Sequence, residues 1–442
     1  MQLRFASLLT LALAAAAHAD LAEYLAKPDP SYKWELREKT PVPGGTLYDI
    51  RLTSQTWQDI VWQHNLNLFV PEHSAPAGSA LLMIDGGSQK RLDQKPSPDA
   101  IIYGAMLAGK VGVPCAILRQ VPNQPLFNNL TEDALIAETF RRHLATHDDT
   151  WPLLFAMTKA AIRAMDAVGE FSEKELGGKI DKFVVTGASK RGWTTWLTSA
   201  SDPRVVALAP MVIDMLNSKP QMEHQKKVFG TYSEQTGDYH DLMRAEETEE
   251  SRRLWRMVDP YTYRDKITQP KLIILGNNDP YWTTDALNMY WDGLSAPKWI
   301  HYVSNAGHNL VQKAADGTKI PPLGAIDTLG VFTRLSLTGK SLPKLEWKHD
   351  EDAGRPRLVV QTTPAPKAAR LRVAHAPTQD FRNALWEEKP VTLEGGKATG
   401  SIDTPAAGSA AFYAALDFDF NGVTYTLCTQ IRIVDAPLNA GK

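Results

Sequence analysis

A serine that follows an apolar run and opens a helical pattern is a candidate nucleophile. The stretch from Phe183 to Trp196 reads FVVTGASKRGWTTW. Its start is a buried strand, Gly187 stands two places before Ser189, and a helix pattern follows, which is how a nucleophile elbow is built. So tight a turn needs small or permissive residues around the serine. Gly187 qualifies, but Arg191 stands two places after Ser189 and Gly192 only one later, so the usual Gly-x-Ser-x-Gly pattern is not matched. A serine hydroxyl is a poor nucleophile until an imidazole takes its proton and a carboxylate fixes that imidazole's tautomer. Two later stretches supply these groups: LIILGNND ends at Asp279, and IHYVSNAGH ends at His308. Each follows an apolar run, so all three residues sit just past strand ends. A serine that merely caps its helix would need neither partner.

Other residues complete or compete with this set. Asp214 follows the run APMVI and is an alternative acid to Asp279; Asp85 reads as shaping its own loop. Acyl transfer also needs donors for a developing oxyanion. One is the N–H of Lys190, directly after the nucleophile at a helix N-terminus. The second is expected from Gly86 or Gly87, whose paired glycines let backbone N–H groups face a ligand. Lys190 and Arg191 place two cations beside the serine. They could bind a substrate carboxylate or assist the oxyanion, or be the solvated start of a helix. Trp193, Trp196 and Leu197 share one helix face and read as core. His143 and His147, four apart, could face one metal on a helix, but the zinc-protease glutamate is missing, so neither metal nor cofactor is expected.

These residues need a frame. From Gly45 to Trp57 and Ile60 to Pro71 apolar and polar residues alternate, as in an antiparallel pair. Short apolar runs then follow at Ala80–Ile84, Val113–Leu118, Phe183–Val185, Val205–Leu208 and Leu272–Leu275, with helix-length gaps between them. Strands buried on both faces of a parallel sheet read this way. The order Ser, Asp, His and the strand-end positions predict an α/β-hydrolase-like, mostly parallel sheet over residues 20–340. Residues 20–44 read as a polar extension. From about 214 to 269 the alternation stops; this is expected to be a helical insertion over the active end, with a helix from Asp241 to Met257. Residues 344–437 carry short strands punctuated by Gly and Pro, which predicts an all-β, immunoglobulin-like domain.

The bulk numbers fit a large globular chain: 442 residues, 43 % hydrophobic, 22 % charged. A net charge of −2 offers no basic field for nucleic acid. Arg4, the apolar run from Phe5 to Ala17 and the small residues of Ala17-His18-Ala19 read as a signal peptide over residues 1–19, too short for a stable membrane span. The protein is therefore expected to be exported, periplasmic or secreted. Cys115 and Cys428 are expected to be buried thiols rather than a bridge.

The chain resembles the PhoPQ-activated pathogenicity-related proteins, which include autocrine proliferation repressor-like members. The likeness rests on TGASKRGWTTW from Thr186, on GNND at Gly276–Asp279 with Trp282, and on NAGHN around His308; Tyr32–Trp34 and Ile84–Gly87 also fit. It implies an exported α/β-hydrolase-like domain with a β-rich C-terminal part. Separately, Arg191 and Trp282 are the candidate substrate-binding residues. The short Ser-x-Arg-Gly neighbourhood is also similar to glucuronoyl esterases, which act on carbohydrate esters bearing acids. The expected activity is a serine esterase acting on a small-molecule, peptide or carbohydrate ester. The same triad could serve a peptidase or amidase, and a non-catalytic binding protein on a hydrolase scaffold is the reading from another class. The sequence leaves the oligomeric state open.

Overall fold

The computed structural model describes residues 21–75, 77–313 and 316–437. The signal-peptide segment, 1–19, lies outside them. In chain order a short helix α1 (Leu21–Ala26) is followed by β1 (Lys33–Val42), β2 (Gly45–Trp57), β3 (Ile60–Pro71), β4 (Ser79–Ile84), α2 (Pro98–Val111) and β5 (Cys115–Leu118). Then come α3 (Glu132–Thr146), α4 (Leu153–Glu175), β6 (Lys182–Ala188), α5 (Lys190–Ser201) and β7 (Val205–Met211). The strand order is β1-β2-β3-β5-β4-β6-β7, continuing to β8 (Lys271–Gly276) and β9 (Lys298–Val303). Pairing is antiparallel from β1 to the β3–β5 contact and parallel from β5 to β9.

The apolar runs explain this arrangement. β5 is buried at every position and β4 at all but one, because helices cover both faces. Two apolar clusters lie on opposite faces of the sheet: Leu82, Val185 and Trp196 in one, Leu81, Val184 and Phe332 in the other. Adjacent strand residues fall in different clusters, as alternation on a pleated strand requires. Residues 20–44 are not a plain extension: β1 adds an antiparallel edge strand to β2, its Leu36 exposed.

Between β7 and β8 the insertion holds α6 (Ser218–Phe229), α7 (His240–Arg244) and α8 (Glu249–Val258). The expected helix from Asp241 to Met257 is thus two helices. Thr248 starts the second through a capping box with Ser251, which turns the chain out of helical geometry there. Glu249 pairs with Arg252 and Arg256, whereas Arg253 bonds Glu250 and Asp149.

After β9 come a small hairpin, β10 (Gln312–Lys313) and β11 (Lys319–Ile320), and α9 (Leu323–Leu337). The remainder is all β: β12 (Lys344–Asp352), β13 (Arg355–Thr363), β14 (Ala368–Ala376), β15 (Glu387–Pro390), β16 (Thr392–Glu394), β17 (Lys397–Ser401), β18 (Ser409–Phe420), β19 (Val423–Cys428) and β20 (Arg432–Asp435). One sheet runs β12-β13-β17-β16, the other β15-β14-β18-β19, with β20 also on β18. The second sheet is continuous with the central one, through Cys428 opposite Ile300 on β9. Cys115 and Cys428 are free and buried, and burial pushes both thiols well up.

Candidate active site

Strand β6 ends at Ala188 and α5 starts at Lys190, so Ser189 alone makes the turn. Its φ of 57° and ψ of −127° are costly for a residue with a Cβ. Its N–H donates to the Met211 carbonyl at 2.8 Å, which pins the turn to β7. Its hydroxyl does not cap α5.

The missing glycine at position 191 has a geometric explanation. A Cβ on Gly187 would stand 2.7 Å from the Arg191 carbonyl, and one on Gly192 would stand 2.7 Å from Ile213 Cγ2 and 2.8 Å from the Met211 carbonyl. The close approach behind the serine is therefore made by Gly192, while position 191 points away and accepts a long side chain. Gly192→Ala is expected to destabilise the fold by about 1–3 kcal/mol, read as a lower melting temperature.

Three remote side chains meet at this turn. Ser189 Oγ lies 2.8 Å from His308 Nε2, and His308 Nδ1 lies 2.7 Å from Asp279 Oδ2. The other carboxylate oxygen, Oδ1, accepts the Tyr281 N–H at 2.9 Å. The Tyr281 ring stacks on the His308 imidazole, 4.2 Å between centroids. Asp279 is buried and His308 half-buried. Asp214 is buried nearby and has no bond to the imidazole. Burial pushes its carboxyl up to about 8, with the charges of Asp279 and Asp285 adding to the rise. That burial favours its uncharged form, and Asp279 is the acid in contact with the imidazole.

The segment between β14 and β15, with Tyr413 on β18, braces the loops that carry these groups. Asn278, next to Asp279, donates to the Ala384 carbonyl at 2.8 Å. Asn305, three before His308, exchanges two hydrogen bonds with the Trp386 backbone, and its own N–H donates to Asn277 Oδ1 at 3.0 Å. Asn277 also donates to the Tyr413 hydroxyl on β18. The acid loop and the base loop are thus tied to each other and to one outer wall.

The cations beside the serine are internally engaged. Lys190 Nζ is buried between Glu132 and Asp133, at 3.0 and 3.1 Å. Arg191 was expected to face substrate; its guanidinium instead makes a bidentate pair with Glu132 at 2.7 and 2.8 Å and donates to the Val121 carbonyl. It lies against Gly86, where a Cβ would stand 2.6 Å from Nη2. These pairs hold the Glu132 carboxyl down at about 2 against the opposing effect of its burial. Glu132 is not legible from the sequence, since with Asp133 it reads as ordinary acidic residues at a helix start. Of the two glycines, Gly86 already donates its N–H to Asp85 Oδ1 at 2.8 Å. Gly87, at φ 132°, is the conformation only glycine enters freely.

Beside Ser189 and His308 lies a cavity of about 50 Å³ with mainly apolar walls, including Trp193, Ile213, Met215 and Trp282. Trp282 is one of its walls, whereas Arg191 is not. The candidate metal pair falls elsewhere. His143 meets Glu250 at Nε2 (3.2 Å) and Asp149 at Nδ1 (3.7 Å). The acids flank opposite nitrogens of one ring, and Arg253 bonds both, so the cluster reads as an ion-pair tie between α3 and α8.

A mostly parallel sheet, a serine alone on the strand-to-helix turn, and an acid and a histidine past later strands define an α/β-hydrolase-like fold. Within it, the chain belongs to the PhoPQ-activated pathogenicity-related protein family, which matches residues 21–382. It is 35 % identical to autocrine proliferation repressor protein A of Dictyostelium discoideum, over 96 % of this chain and 92 % of that protein. Among solved structures it is similar to acetyl xylan esterase 1 from Thermoanaerobacterium sp. JW/SL YS485 (TM-score 0.45, 16 % identity, 65 % of this chain and 86 % of that one). It is also similar to a glucuronoyl esterase from Solibacter usitatus (TM-score 0.42, 12 % identity, 71 % and 90 %).

Proposed function

We propose that this protein is a secreted serine hydrolase that cleaves an ester through an acyl-enzyme on Ser189. The observation that carries the reading is the unbroken chain Ser189 Oγ–His308–Asp279, with contacts of 2.8 and 2.7 Å. Ser189 Oγ attacks the carbonyl carbon as its proton passes to His308 Nε2. Asp279 holds the proton on Nδ1 and stabilises the imidazolium that forms. The oxyanion takes the Lys190 N–H and, from the loop after β4, the Gly87 N–H, since that of Gly86 is engaged. The leaving alcohol then collects the proton from Nε2, and water repeats the sequence to release the acid. Export belongs to the same proposal and rests on the leader pattern of residues 1–19. So does the immunoglobulin-like reading of residues 344–437. It is supported by strand orders β12-β13-β17-β16 and β14-β18-β19, which run as A-B-E-D and C-F-G.

The direct test is a fluorophosphonate probe on the folded protein, with p-nitrophenyl acetate hydrolysis in parallel. Labelling at Ser189 that disappears in Ser189→Ala, together with turnover, is the expected result. Folded protein that neither labels nor turns over any ester is a binding protein, and the proposal fails. Labelling with turnover of amides alone moves it to an amidase.

Glu132 has a place in this reading. One carboxylate clasps the two residues after the nucleophile, and Arg191 rests on the Gly86 loop that supplies the second donor. Glu132→Gln strips Arg191 of its carboxylate and leaves Lys190 with Asp133 alone, and is expected to lower kcat about 10- to 100-fold with little change in KM, as loss of transition-state alignment does. A drop in KM-linked affinity alone would place Glu132 in ground-state binding instead. The carboxyl titrates lower in the folded chain than the unfolded one. Its support for the fold is thus present above the ordinary glutamate value and lost as pH falls toward about 2.

A further inference from the structure

The cavity at Ser189 ends against the insertion. Its walls there are Met222 on α6, Met243 on α7 and Trp255 on α8, with Ser218 at the start of α6. The same four residues are walls of a second cavity of about 630 Å³ that lies wholly within the insertion, between residues 217 and 264. All four are half-buried, as a partition between two spaces must be. The inner space, about 50 Å³, has room for about four waters and so for a few carbon atoms. Its exposed surface is mainly apolar, and the two charged side chains among its walls, Lys190 and Asp133, pair with each other, which leaves no free charge for a charged acyl group. The outer space is an order of magnitude larger and mixed in character, with Lys219, Arg252 and Arg264 among its walls.

We infer that the substrate is an ester of a short, uncharged acyl group, about two to four carbons long, and that Met222, Met243 and Trp255 set this limit by closing the acyl pocket. This rests on the esterase reading of Ser189. An acyl chain bound to Oγ can extend past Trp193 and Ile213 until it meets the partition. A longer chain would have to push through into the insertion. Two of the three barrier residues are methionines, whose flexible side chains fill a gap without a rigid frame. Each barrier residue comes from a different helix of the insertion, so the specificity of the site is written in a segment that supplies no member of the triad.

The test is the chain-length profile on p-nitrophenyl acetate, butyrate and octanoate. The natural protein is expected to prefer acetate or butyrate over octanoate by at least about 100-fold in kcat/KM, in line with the cost of misfitting several methylenes. The double variant Met222→Ala/Met243→Ala joins the two cavities, and the octanoate-to-acetate ratio is expected to rise at least about tenfold. Met243→Trp fills the inner space and is expected to lower the butyrate-to-acetate ratio. Ratios within one protein are insensitive to the fraction folded, so partial misfolding does not mimic the effect. A flat profile in the natural protein, or an unchanged ratio in both variants, overturns the inference and leaves the esterase reading standing. Absence of turnover and of fluorophosphonate labelling removes both.

Discussion

His308→Ala should lower kcat/KM on any ester substrate by about 10⁴- to 10⁶-fold, with KM nearly unchanged. That loss corresponds to about 5–8 kcal/mol of transition-state stabilisation. The reason is geometric. The imidazole is the only group bonded to Ser189 Oγ among the described residues, at 2.8 Å. It is held from two directions: Asp279 on its far nitrogen and the Tyr281 ring on one face. With it removed, no base remains to take the hydroxyl proton, and Ser189→Ala should lose no more than His308→Ala does. The double variant should be no worse than either single one, because the pair acts as a unit. Steady-state kinetics on the three variants decides this, with melting temperatures as the folding control. A His308→Ala protein that keeps activity within tenfold of the natural one would contradict the assignment.

The three residues that meet at the proposed site were legible in the sequence because each follows a buried strand. Runs such as Leu272–Leu275 are apolar without alternation, which only a sheet covered on both faces explains. Placing Asp279 and His308 at the ends of such runs puts them on one edge of the sheet. The bounds of antiparallel β2 and β3 were readable from alternation and the turn residues between them, but the irregularity between Thr53 and Gln55 that shifts their register was not. What stayed hidden depends on contacts between distant segments. Nothing local distinguishes Glu132 from a solvated helix acid, yet it meets Lys190 and Arg191. Gly86 and Gly87 looked equivalent until the Asp85 side chain was seen to take one N–H. Asp241 to Met257 reads as one helix because its charge pattern is continuous, but the capping box of Thr248 and Ser251 starts a new helix within it. The fused sheet rests on a single residue pair, Cys428 and Ile300, and strand patterns do not say which strands pair across a linker.

The identity of the acid separates two replacements that look alike on paper. Asp279→Asn is expected to lower kcat about 10⁴-fold, about 5 kcal/mol. The natural carboxylate accepts at both oxygens, from His308 Nδ1 and from the Tyr281 N–H. An amide offers only one acceptor. If its oxygen stays on the Tyr281 N–H, its NH₂ faces Nδ1 and forces the proton onto Nε2, where Ser189 needs a free lone pair. If it turns the other way, the Tyr281 N–H is left facing a donor. Asp214→Asn should do neither. Burial favours the uncharged form of that carboxyl and it makes no bond to His308, so an uncharged amide of the same shape is expected to change kcat by no more than about fivefold, under 1.4 kcal/mol. Its effect should appear in stability. The folded-state value, about 8, lies above the unfolded one, so the folded chain holds an extra proton between the two. Natural stability therefore declines as pH rises from about 4 toward 8, and part of that decline should vanish in Asp214→Asn. Urea midpoints at pH 5 and pH 8 measure it. Should Asp214→Asn be the inactive variant and Asp279→Asn the active one, the hydrogen bond from His308 to Asp279 would not be the one that orients the base during turnover.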